Sequence, residues 1–308
     1  MSIQEGARMA TPVEGLEDVH LPGLFDSADR TSLLGQKQYG RTVKLSLVLA
    51  VIAAATGIFS WKVGASGIDV AAIGTATALI AILLLEATVN SSRPEDRWYD
   101  GRALAESAKS LAWRYSVGAV PFPKGADEAA VEQRFVDQVT RLLDDAPTTA
   151  IAPSDRPVIT ERMAAIRASD LANRKAVYLE SRIADQQRWY SGKAAFNGRR
   201  AGQYRVALVV IELLGIGAAL AKAFGYVNLD LAGVVAAVIA AGTAWMNLKQ
   251  FSTLARAYSF AAAELTIART RLDHVEDEAS WSAEVADSEE AVSREHTMWR
   301  ASRSRPSS

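Results

Sequence analysis

Hydrophobic positions in this chain gather into four long runs, and polar positions fill the stretches between them. The first run, "LSLVLAVIAAATGIFSW", fills the stretch between Lys44 and Lys62. The second, "VAAIGTATALIAILLL", fills that between Asp69 and Glu86. The third follows Arg205 as "VALVVIELLGIGAALA" and is broken only by Glu212. The fourth, "LAGVVAAVIAAGTAWMNL", lies between Asp230 and Lys249. A bilayer span needs about 17–25 residues, so these runs are short but sufficient. Soluble helices keep a polar face, and these runs have none. The pattern predicts four membrane spans, about 45–61, 70–89, 206–221 and 231–248. Short turns, "KVGASGID" and "KAFGYVNLD", join them into two hairpins.

The polar stretches read as helices. "EDRWYDGRALAESAKSLAWRYSVGA" follows the second span after Pro94, and Pro121 and Pro123 break it. "DEAAVEQRFVDQVTRLLDD" places Val131, Phe135, Val139 and Leu142 on one face. Ile159, Met163 and Ile166 open another helical pattern, which Val177, Tyr178, Leu179 and Ile183 continue towards the third span. Gly192, Gly198 and Gly202 are points where that helix can kink, each costing about 1 kcal/mol relative to alanine. "KQFSTLARAYSFAAAELTIARTRL" extends the fourth span as helix. A last amphipathic helix, about 280–303, carries Trp281, Val285, Val292 and Trp299. No β-strand pattern emerges. The fold expected is all-α: an integral membrane protein with two transmembrane hairpins and a cytoplasmic helical bundle.

Basic residues cluster on one side of the hairpins. Arg30, Lys37, Arg41 and Lys44 precede the first span, and Arg93, Arg97, Arg102 and Lys109 follow the second. Lys193, Arg199, Arg200 and Arg205 precede the third, Lys249 and Arg256 follow the fourth, and each hairpin turn holds one lysine. The positive-inside rule then puts both termini and the middle region in the cytoplasm of a multi-pass protein of the cell membrane. No cleavable signal is apparent, since a long and mainly polar stretch up to Lys44 precedes the first apolar run. The Pro- and Thr-rich "APTTAIAPSDRP" marks the domain boundary. It divides the chain into a disordered tail (1–20), a first hairpin domain (21–157), a second hairpin domain (158–303) and a disordered tail (304–308).

Charge and composition mainly exclude. With 34 basic and 35 acidic residues there is no global pull towards nucleic acid, and none is expected as a partner. With no cysteine, disulfides, thiolate metal sites and cysteine nucleophiles are ruled out. No P-loop, dinucleotide fingerprint or G-x-S-x-G elbow occurs. The chain therefore reads as a non-enzyme with no cofactor. His274 lies near Asp273, Glu276, Asp277 and Glu278, but on a helix most of those carboxylates diverge, giving a solvated acidic face rather than a metal site. His296, near Trp299, reads as a helix-packing or polar-contact residue rather than a catalytic one.

Three features remain as site candidates. Glu212 is the ionisable residue inside a span, seven residues past Arg205 and so about 10 Å deep. Intramembrane carboxylates are costly and point to function. Glu212 is either a gate or proton relay, or a bundle-facing group paired with a neighbour such as Asn247. Small residues at four-residue spacing, Gly233, Ala237 and Ala241, with Gly217 and Ala221 in the third span, favour close helix contacts. Sparse polar residues, Thr56, Ser60, Thr77, Thr88, Thr243 and Asn247, neither demand nor exclude a pore. Last, a box recurs: "RWYDGRA" at Arg97–Ala103 and "RWYSGKA" at Arg188–Ala194. Its residues Arg97, Trp98, Tyr99, Arg188, Trp189 and Tyr190 are expected to pack two antiparallel cytoplasmic helices against each other.

"LPGLFDSADRTSLLGQKQYGR" before the first hairpin, with "RWYDGRALAESAKSLAWRYSVGAVPF" after it, resembles one type of SLATT domain. These are bacterial two-helix membrane effector domains, named for association with nucleotide-second-messenger (SMODS) and SLOG proteins. "AVYLESRIADQQRWYSGKAAFNGRRAGQYR" and the late "EEAVSREHTMWRA" resemble another SLATT type, so the resemblance covers roughly Leu21–Ser302. It implies a tandem, homo-oligomeric effector of an anti-phage or other conflict system, which forms pores in or perturbs the lipid bilayer. It also implies a nucleotide-signalling or sensor protein as partner, and it brings no catalytic residues. The rival readings are a small proton-coupled transporter using Glu212 and a membrane scaffold recruiting cytoplasmic proteins.

Overall fold

The structure, a computed structural model, describes residues 15–146, 151–228 and 231–301, with backbone alone at 291 and from 293 onward. Among the described residues, the α-helices follow in the order α1 (Gly23–Thr56), α2 (Val70–Ser92), α3 (Pro94–Val117), α4 (Glu128–Asp144), α5 (Glu161–Ala168), α6 (Leu171–Tyr178), α7 (Asp185–Ala223), α8 (Ala232–Lys249), α9 (Phe251–Asp273) and α10 (Glu278–Ala301). Two-residue strands, β1 (Lys62–Val63) and β2 (Ile68–Asp69), pair antiparallel in the first hairpin turn, where the residue pattern holds no strand signal. The chain forms two compact units, and α1, α3, α7 and α9 contribute residues to both.

The unit of Ser32–Trp98 and Gly192–Ser259 holds both hairpins. Among the described residues, four helices are long and apolar enough to cross a membrane, and the chain is of the all-α membrane class. In the first hairpin, Ala53 of α1 and Ala78 of α2 are buried, and the Thr56 and Thr75 hydroxyls lie 2.9 Å apart. The span expected to reach residue 61 is helical only to Thr56. Asp69 takes over beyond it: its carboxylate accepts from Ser60 Oγ (2.6 Å) and the Trp61 N–H, and caps α2 at Ala71 and Ala72. In the second hairpin, small residues set the approach. A Cβ on Gly215 would fall 2.5 Å from Val235, and one on Gly242 would fall 2.8 Å from Leu208. The Trp245 indole donates to the Tyr204 hydroxyl at 3.1 Å. These pairs define an antiparallel seam that follows the helical repeat, 204, 208 and 215 against 245, 242 and 235. The glycines at 192, 198 and 202 do not interrupt α7.

The second unit, residues 15–31, 99–191 and 260–301, buries its aromatic residues together. Trp113, Tyr178 and Trp281 form an edge-to-face row with centroids 5.7 Å apart at each step, and Tyr115, Phe122 and Phe135 form a triad. Met163, Ile166, Val177 and Ile183 are buried on the expected face, as are Trp281, Val285 and Val292; the Trp299 and His296 side chains lie outside the described residues. Within residues 15–20, Leu16 is buried, Lys109 pairs with Asp18 at 2.7 Å, and Thr160 Oγ donates to the His20 carbonyl. Residues 1–14 and 302–308 lie outside the described residues.

The buried arginines Arg167, Arg174 and Arg182 organise this unit from α5, α6 and the π-helical turn Leu179–Ala184. Arg167 donates to the carbonyls of Tyr115 and Phe122 (both 2.9 Å), and Arg174 donates to that of Val117 (2.8 Å). These bonds tie the last turn of α3, at Tyr115 and Val117, and the loop at Phe122 to α5 and α6. Arg182 forms a two-pronged pair with Glu289 of α10, 2.8 Å at each prong, and Ser110 Oγ and the Tyr178 hydroxyl donate to the same carboxylate. Burial pushes the Glu289 carboxyl up, but the Arg182 charge and these hydrogen bonds outweigh it and hold the group below the usual carboxylate range. Burial, with Glu289 beside it, raises the Tyr178 phenol well above its ordinary value.

Glu289→Ala would leave a buried guanidinium uncompensated, a loss of about 3–5 kcal/mol. A thermal melt of the purified protein should fall by roughly 10 °C, and the double change Arg182→Met with Glu289→Leu should fall by much less. Equal losses would mean that the pair itself carries the stability.

Candidate functional site

Of the intramembrane candidates, Glu212 is exposed on α7, beside the seam residues Leu208 and Gly215 rather than within the seam. Asn247 is also exposed, and among the described residues no hydrogen bond joins the two. The reason is helical phase. Asn247 lies two residues past the seam residue Trp245, about 200° around α8, so it turns away from α7. Of the small residues, Ala237 and Ala241 are half-buried, while Gly233 is exposed and has open space around it, as Gly217 does. The observed close approaches belong to Gly215 and Gly242, which the four-residue stripe missed because the seam follows a mixed three-and-four spacing.

The first repeated box is gripped by α1. Ser32 Oγ donates to the Trp98 carbonyl (2.9 Å), Arg97 donates to the Gln38 side chain (2.7 Å), and Tyr39 lies 6.4 Å from the Trp98 ring. Gly35 makes this possible, since a Cβ there would fall 2.7 Å from both the Pro94 carbonyl and the Trp98 backbone nitrogen. The α1 stretch before the span and the box after it are thus two sides of one contact.

The tyrosine of each box is buried, Tyr99 at 7% and Tyr190 at 1% exposed. A cleft of about 1010 Å³ brings part of each box to its walls, Arg102 from the first and Arg188 with Trp189 from the second. Its charges are largely paired. Arg102 meets Glu106 at 2.5 Å and Asp29 at 3.8 Å, and Arg188 meets Glu180 at 3.2 Å and Asp185 at 3.6 Å. Burial raises the Asp29 carboxyl above its ordinary value, with Arg102 opposing. Trp113 Nε1 and Arg182 Nη1, also of the lining, have no hydrogen-bond partner among the described residues. The acidic stretch near His274 does several jobs: Asp277 caps α10 at Ala279 and Ser280, Glu278 pairs with Arg174, and His274 Nδ1 lies 2.7 Å from the Thr270 carbonyl.

Sequence reasoning missed two features. One is the arginine ladder, whose signal was three arginines, at 167, 174 and 182, set among apolar helix residues such as Ile166 and Val177. The other is the helix break at Gln250, the counterpart of the one before Pro94. Arg93 (φ 40°, ψ 55°) ends α2, and Gln250 (φ 49°, ψ 36°) ends α8; they are the non-glycine residues with positive φ among the described residues. Each falls where the second helix of a hairpin gives way to the helix that follows it. The expectation that the fourth span continues unbroken is therefore corrected at Gln250.

Gly35→Ala should destabilise the protein by about 1–3 kcal/mol, because the new methyl meets backbone that cannot yield. Gly40→Ala, where nothing lies within 4 Å, should stabilise it by up to about 1 kcal/mol. Thermal melts of the two variants moving in the same direction would contradict this contact.

Two family models match the chain. SMODS and SLOG-associating 2TM effector domain 3 matches residues 22–175, and SMODS and SLOG-associating 2TM effector domain 1 matches residues 178–299. Each match contains one hairpin, and the first runs past the linker at which the sequence pattern placed the boundary. No curated protein and no solved structure matches. With two different SLATT domains in tandem, the chain belongs to the SLATT family of two-transmembrane effector domains.

Proposed function

We propose that this chain is an oligomeric effector of a bacterial conflict or anti-phage system, which permeabilises the cytoplasmic membrane under the control of its polar helices. The observation that carries the reading is the pair of effector-domain matches, each containing one membrane-capable hairpin. The basic residues flanking the spans support a cytoplasmic placement of the polar unit and both termini. A nucleotide-signalling or sensor protein would be the partner that delivers the trigger, and the effector acts without a catalytic step.

Glu212 supports the pore reading on physical grounds. A carboxylate exposed on a spanning helix costs a few kcal/mol in hydrocarbon and is too short to reach the headgroups from about 10 Å. An aqueous path lined by several copies removes that cost. A ring of carboxylates in such a path favours cations.

Purified protein in planar bilayers under a potassium chloride gradient should conduct, with a reversal potential on the cation side. Glu212→Gln should conduct with its cation preference reduced severalfold. No conductance, with or without the partner protein, would overturn the pore. Substrate-dependent proton flux in its place would favour the transporter, and stable capture of a cytoplasmic protein without leak would favour the scaffold.

A further inference from the structure

The two helix breaks occupy equivalent places but have different causes. At the first, Pro94 follows Arg93, and proline disfavours the right-handed helical conformation for the residue before it. That break is written into the covalent chain. At the second, Lys249, Gln250 and Phe251 contain neither proline nor glycine, and no glycine or proline occurs between Gly242 and Pro306. Nothing local prevents α8 and α9 from forming one continuous helix. Hydrogen bonding resumes at once on each side, with Gln250 N–H to the Met246 carbonyl (2.8 Å) and Leu254 N–H to the Gln250 carbonyl (2.9 Å). A left-handed glutamine between two helices is backbone strain that some tertiary contact must hold.

That contact is Tyr204 of α7. Its hydroxyl accepts from Trp245, one helical turn and a little more before the break, and its ring stacks on Phe251, the residue just after it, with centroids 5.5 Å apart and planes 16° apart. Lys249 adds its ammonium over the Trp245 ring at 4.8 Å. One side chain thus touches both sides of the break.

We infer that Gln250 is a releasable hinge clasped by Tyr204: with the clasp closed α8 and α9 are broken, and with it open they join into one straight helix. The first junction, fixed by Pro94, has no such freedom. The tandem protein therefore carries one locked and one switchable junction between a hairpin and the helix that follows it. The junction has this property whether or not the chain forms a pore.

The cysteine-free chain accepts spin labels at Ala240 and Ser259, both exposed, in bilayer nanodiscs. A straight helix would separate these Cα atoms by about 28 Å. The wild-type protein should show mainly a shorter distance, and Gln250→Gly, which removes the strain, should show only that one. Tyr204→Ala should raise the ratio of straight to broken forms by about fivefold or more. Tyr204→Phe, which keeps the ring stack, should fall between the two. A wild-type protein that shows only the straight-helix distance would overturn the hinge. So would a Tyr204→Ala protein of unchanged helix content with an unchanged distance distribution.

Discussion

The polar unit is organised by one buried ion pair. Arg182 and Glu289 are 2% and 0% exposed at their side chains, and such a pair is tolerable only when its hydrogen-bonding capacity is well used. Here Ser110 of α3 and Tyr178 complete the carboxylate's shell. Ser110 lies in the first family match, while Tyr178, Arg182 and Glu289 lie in the second. The same division runs through the aromatic row, since Trp113 comes from the first match and Tyr178 and Trp281 from the second. The two domains thus share one core, and neither could keep that core if separated. The π-helical turn has a plain role in this arrangement: its extra residue per turn shifts the phase of the helix so that Arg182 and Ile183 both point inward.

The hairpin unit follows a different constraint. Its helices are apolar nearly all round, so shape rather than polarity decides which faces meet. Gly215 and Gly242 answer that need in the second hairpin, and Ala53, Ala78 and the Thr56–Thr75 contact answer it in the first. Glu212 is left exposed on α7 in the single chain, beside the seam rather than within it. The exchange between broken and straight helix at Gln250 belongs to the same unit and offers a way for a hairpin to change the course of the helix that leaves it.

Much of the fold was legible because it rests on periodicity. The four spans, the amphipathic faces of α4, α5 and α10, and the break before Pro94 all follow from the spacing of apolar residues or from one proline. What periodicity could not show depended on partners distant in sequence. Glu289 reads as one more surface carboxylate in "DSEEAVSREH" until Arg182 is placed beside it. Gln250 reads as helix because its conformation is imposed by Tyr204, which lies on another helix far back in the chain. The recurrence of the box was legible, but not that α1 grips the first copy while the second copy pairs its arginine locally. Equal sequence marked equal burial of the tyrosines, whereas the neighbours differ because each box lies on a different side of its hairpin.

The proposed pore requires several copies of this chain, because four short spans cannot enclose an aqueous path alone. The mass of the full-length protein extracted directly into lipid nanodiscs tests this most directly. An assembly of several chains of uniform number is the expected result; a strictly monomeric particle, with the partner protein present as well as absent, would contradict it.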